Sequence, residues 1–121
     1  VLSAPQNLDI NKPKGAVTPK VLEVADTWSV KDGGREIDAY LIDNPHAAGY
    51  LMPYVPDAKL GFITDLWNPG PPVAAANPNL AAVVKGVDRW GLKPERFAGG
   101  HAAVGNYADV MRAVPAGANT R

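Results

Sequence analysis

Asn44-Pro45-His46-Ala47-Ala48-Gly49-Tyr50-Leu51-Met52-Pro53-Tyr54-Val55-Pro56, followed after Asp57-Ala58 by Lys59-Leu60-Gly61-Phe62-Ile63-Thr64-Asp65, is the stretch on which the fold turns. Its two apolar runs, at about 50 to 55 and 59 to 64, read as strands packed on both faces, with a short proline-bearing turn between them. Strands that run antiparallel around a short turn return the chain to its starting edge. The loop carrying His46 and the strand end carrying Asp65 are therefore expected at one rim of a sheet. A third polar residue, His101, follows the apolar run Arg96-Phe97-Ala98 and the glycine pair Gly99-Gly100. His46 and His101 are the only histidines in the chain.

Upstream of this stretch, residues 1–18 carry Pro5, Pro13 and Gly15 among polar residues and read as an irregular lead-in. Lys20-Val21-Leu22-Glu23-Val24 and Thr27-Trp28-Ser29-Val30 are β-prone. Lys31-Asp32-Gly33-Gly34 is a turn signal before Arg35-Glu36-Ile37-Asp38-Ala39-Tyr40-Leu41-Ile42, so this segment reads as a hairpin. In its second strand Ile37, Ala39 and Leu41 alternate with Glu36, Asp38 and Tyr40. That alternation predicts the first set buried and the second wet.

Downstream, Leu66-Trp67-Asn68-Pro69-Gly70-Pro71-Pro72 is too proline-rich for helix or central strand, and as a stiff loop beside Asp65 it is a candidate pocket wall. Asn77-Pro78 then supplies an N-cap and a proline at the first helical position. Leu80, Val83, Val84 and Val87 share one face before Gly91, which predicts a helix packed on the sheet with Lys85, Asp88 and Arg89 in water. A short strand around Arg96 to Ala98 follows. Val104, Tyr107, Ala108 and Met111 then recur at helical spacing until Pro115, and residues 115–121 read as a frayed tail. The expected order is β-hairpins followed by two helices on one face.

At 121 residues the chain makes one domain at most. Twelve basic and twelve acidic residues cancel, which leaves no electrostatic case for a nucleic acid or an anionic membrane as partner. Without cysteine there is no disulfide or thiolate site, so any metal would be held by imidazole and carboxylate, and the compartment stays undecided. No apolar run reaches the ~18 residues of a spanning helix, and the start at Val1-Leu2-Ser3-Ala4-Pro5 has no targeting pattern.

Pro45-His46 before a strand, the Tyr54-Val55-Pro56 turn, a strand ending in Asp65 and Gly99-Gly100-His101 opening a helix together resemble the second half of a metallo-β-lactamase-fold hydrolase. The resemblance covers residues 19–114 and holds in order and spacing, with 19 residues from His46 to Asp65 and 36 from Asp65 to His101. It implies an α/β (α+β) fold, half of an αββα sandwich, with zinc as cofactor. By the same resemblance His46 completes a first metal site, Asp65 bridges two metals and takes part in catalysis, and His101 belongs to a second site. The family reaction is attack by metal-bound hydroxide on an ester, amide, thioester or phosphoester of a small-molecule substrate. One departure is large: a chain with two histidines cannot contain the family's His-x-His-x-Asp-His signature. Smaller ones are Ala102 after the last histidine and Ala47-Ala48 after His46.

Each of these residues also has an ordinary reading. His46 and His101 could be loop or strand-end histidines, and Asp65 could cap the turn after its strand. Trp67 and Trp28 could line a pocket or sit in the core, where large aromatics are commonest. Gly99 and Gly100 would permit close backbone approach or positive φ ahead of His101, and Asn106 and Tyr107 are weaker site candidates. The expectation is a fragment of a zinc hydrolase, inactive alone. The alternative is a non-catalytic αβ association module, paired as a homodimer or with a missing N-terminal half.

Overall fold

In the computed structural model the described residues are 21–71, 75–101 and 103–114, so the expected lead-in and the frayed tail lie outside them. Six strands and two helices follow in order: β1 (Thr27–Asp32), β2 (Arg35–Leu41), β3 (Leu51–Val55), β4 (Leu60–Ile63), α1 (Pro78–Arg89), β5 (Arg96–Gly99), β6 (Val104–Asn106) and α2 (Tyr107–Ala113). The strands form one sheet in sequential order. All neighbours are antiparallel except β4 and β5, which run parallel because α1 carries the chain back between them. No helix among the described residues is long and apolar enough to cross a membrane.

The local signals explain most of these elements. Gly33 and Gly34 both take positive φ, 58° and 80°, as a two-residue hairpin turn requires. Asn77 caps α1, its side-chain oxygen accepting from Leu80 N at 3.0 Å, and Pro78 opens the helix. Leu80, Val83, Val84 and Val87 are buried while Lys85, Asp88 and Arg89 face water, as their spacing predicts.

Both helices cover the same sheet face. Paired residues lie side by side, so the register Ser29–Asp38–Tyr54–Gly61–Phe97–Gly105 runs across all six strands on that face. Phe97 is its centre, packing against Trp67 at 5.4 Å and Tyr107 at 5.6 Å between ring centroids. Gly61 makes room for it, since a Cβ there would overlap the Phe97 ring. Ile42, Met52, Ile63, Leu66, Leu80, Val83, Val84, Val87, Val110 and Val114 complete the core.

Four expectations are corrected. The β2 alternation is inverted: Asp38 is 6% exposed and Ile37 43% exposed, because the helices lie on the Asp38 side. There the carboxylate accepts hydrogen bonds from Ser29 Oγ at 2.5 Å and Tyr40 OH at 3.0 Å, beside a hollow of about 330 Å³. Val21 to Val24 form no strand. The strands at β3 and β4 bury only one face, and Phe62 on the other is 41% exposed. Val104 belongs to β6, paired with Ala98, rather than to a helix. The helix begins at Tyr107 and buries Tyr107 and Val110, leaving Met111 outside.

Candidate metal centre

The rim where β2 enters β3 and where β4 and β5 end collects His46, Asp65 and His101. Asn44 builds the first loop. Its side-chain oxygen accepts from His46 N at 2.9 Å and Ala47 N at 2.8 Å, and its amide donates to Ile42 O and Ala47 O. This ties the loop to the end of β2 and turns His46 back toward the sheet edge.

Asp65 follows β4 by two residues and has φ of +66°, a left-handed conformation that Asp tolerates better than most residues. The buried side chains of Leu66 and Trp67 anchor the chain just beyond it. His101 stands at a bend after β5, leading into β6 rather than opening a helix. Gly100 N donates to Ile63 O at 2.9 Å, which continues the β4–β5 ladder to the foot of His101. Gly100 is needed for close approach, since a Cβ there would overlap Thr64 Oγ1.

The carboxylate of Asp65 lies between the two imidazoles. Its Oδ1 is 2.9 Å from His101 Nε2, a hydrogen bond, and its Oδ2 is 3.7 Å from His46 Nε2, beyond hydrogen-bond reach. Each oxygen thus faces a different histidine. All three side chains are open to solvent. The remaining candidates separate from this group: Trp67 is in the core, only 6% exposed, and Tyr107 lies beneath Phe97.

A metal ion would fit this arrangement only in part. Two bonds of about 2.0–2.2 Å meeting at a tetrahedral angle separate their donor atoms by about 3.4 Å. The two observed separations, 2.9 and 3.7 Å, flank that value. The donor types are those a borderline-soft divalent ion takes, and a carboxylate with one oxygen toward each imidazole is suited to bridging. Yet the group offers at most one imidazole and one carboxylate oxygen per ion. Among the described residues, no set of three or more His, Cys, Asp or Glu surrounds a single point as a metal cage.

Sequence reasoning passed over Asn44, Tyr50 and Thr64, which shape this rim through backbone hydrogen bonds. Asn44 two residues before His46 was a readable signal, since Asx side chains bond the backbone two and three residues on. Nothing in the sequence announces the contact between Tyr50 and Thr64.

Comparison with solved structures gives a metallo-beta-lactamase from Pontibacter korlensis at a TM-score of 0.56 and 20% identity, covering 78% of this chain. The described sheet and helices have the fold of half a metallo-β-lactamase domain. The chain spans 46% of that protein's length. No family model matches the sequence, and no curated protein matches it.

Proposed function

We propose that the chain is the C-terminal half of a zinc-dependent metallo-β-lactamase-fold hydrolase and that it is inactive alone. The observation that carries this reading is the position of Asp65, with one carboxylate oxygen toward each of two histidines. In this reading His46 serves one ion, His101 the other and Asp65 both. Zinc, when bound, supplies Lewis acidity and lowers the pKa of its water to about 7. The chain's own part is to orient these donors at an open rim where a small molecule bearing an ester, amide, thioester or phosphoester can approach. Donors missing from this half leave zinc weakly held.

Turnover assays on generic esters and β-lactams at saturating zinc should give no activity, and chelator competition should find weak zinc binding that Asp65→Ala abolishes. Turnover that disappears in His46→Ala and Asp65→Ala would mean a complete site, assembled between chains. Zinc binding unchanged in Asp65→Ala would end the assignment of Asp65.

A second reading, association, is favoured by the sheet face away from the helices. Val30 and Ile37 pair there, as do Phe62, Ala98 and Val104, and Val30, Ile37, Phe62 and Val104 are 40–53% exposed. Burying several such side chains at ~1.5–3 kcal/mol each is a strong drive to associate. The occupant we assign is a polypeptide supplying the remainder of the sandwich, because this chain accounts for less than half the length of its structural neighbour. Light scattering with intact mass tests this. A complex with a second polypeptide supports it, a homodimer replaces that partner with a second copy, and a well-folded monomer of 12.7 kDa overturns association.

A further inference from the structure

We propose that Tyr50 is a positioning residue that holds Asp65 between the two histidines; the metal role of Asp65 rests on the reading above, but the hold itself does not. Backbone pairing between β3 and β4 is confined to Tyr54–Gly61 and Val55–Leu60. No β3–β4 pair is made further toward Asp65, and Thr64 lies just past the end of β4. There the Tyr50 phenol bonds the Thr64 backbone instead. The hydroxyl accepts from Thr64 N at 2.8 Å and donates to Thr64 O at 2.8 Å, taking both backbone groups of one residue.

The Thr64 carbonyl belongs to the peptide plane that leads into Asp65. Fixing that plane restricts φ of Asp65, which sits at +66°. Asp tolerates this conformation better than most non-glycine residues, yet it still costs free energy that the surroundings must offset. On the opposite side Gly100 closes against Thr64, and its N–H bonds Ile63 O. Thr64 is thereby held by the residue before β3 and the residue after β5, and Asp65 is the next residue in the chain. Tyr50 also follows His46 by four residues, so one side chain links the His46 loop to the backbone of Thr64, the residue before Asp65. Its ring packs against the core, while its hydroxyl makes only the Thr64 bonds among the described residues. Burial raises the phenol's pKa, with the Thr64 bond acting against that and the Asp65 charge with it, so the hydroxyl keeps its proton at neutral pH.

Tyr50→Phe keeps the ring and removes the hydroxyl, and Tyr54→Phe removes a different buried phenol, from β3, as a control. NMR of the metal-free chain reads the hold directly. In the wild type, the Thr64 amide should resist hydrogen exchange and Asp65 should give the strong intraresidue Hα–HN NOE of positive φ. In Tyr50→Phe the Thr64 amide should exchange at least about tenfold faster, the Asp65 NOE should weaken, and zinc affinity by chelator competition should fall about tenfold. Tyr54→Phe should change none of these. A wild-type Thr64 amide that exchanges freely, an Asp65 NOE unchanged in Tyr50→Phe, or equal losses in the control would overturn the proposal. Zinc binding indifferent to Asp65→Ala would instead refute the metal-centre reading, and the NOE would still decide whether Tyr50 holds Asp65.

Discussion

At the scale of single residues, this protein sets its polar groups by backbone contacts more than by charge pairs. Asp65 owes its place to a left-handed φ and to the grip on Thr64, and His46 to the Asx turn of Asn44. The four tyrosines carry a related signature. Tyr40 is pushed up to about 12 by burial, then by its hydrogen bond to Asp38 and that carboxylate's charge. Burial likewise raises Tyr50, Tyr54 and Tyr107. A phenol is neutral when protonated, so a folded-state pKa above the unfolded value of about 10 gives stability that is whole below about pH 10. For Tyr40 that contribution is lost as pH rises from there through about 12. Phenolate absorbance should therefore show no tyrosine ionising at its ordinary pH in the folded chain and all four doing so after denaturation. A native tyrosine titrating near 10 would contradict the packing described for it.

At the scale of elements, the sequence was most legible where a local signal and the burial pattern agree. The Gly33-Gly34 hairpin and the Asn77-Pro78 helix start are read correctly because turn and cap chemistry depend on neighbours in the chain. Alternation in β2 marks two faces but not which one the helices cover; it puts Ile37 inward and Asp38 outward, and the helix layer lies on the Asp38 side. Helical spacing takes in Val104 because three residues of β6 are too few to break it, and the pairing of Val104 with Ala98 exists only in three dimensions. At the rim, residue type and spacing marked His46, Asp65 and His101, while the contact that sets Asp65 comes from a phenol distant in sequence. Gly61 tests the register of these elements. Its missing side chain is the space the Phe97 ring occupies, so Gly61→Ala should destabilise the fold by about 1–3 kcal/mol in denaturant unfolding. A neutral effect would mean that Phe97 does not lie across β4.

At the scale of the whole molecule, one face of the sheet is closed by helices and the other presents apolar side chains to water. Ile37 stands on that open face and touches neither the core nor the rim group, so Ile37→Glu should weaken association in sedimentation or light scattering while leaving the melting transition nearly unchanged. Loss of folding instead would place Ile37 in a core it does not occupy here. The same openness bears on the candidate metal centre, because among the described residues the rim offers an ion fewer donors than a closed site requires. Crystals of the chain grown at saturating zinc, with an anomalous difference map at the zinc edge, test whether Asp65 and the two histidines hold the metal. The expected result is metal density between an Asp65 oxygen and a histidine Nε2, with the His101–Asp65 contact opened from 2.9 Å toward about 3.4 Å. An intact 2.9 Å hydrogen bond, with zinc bound elsewhere or not at all, would contradict it.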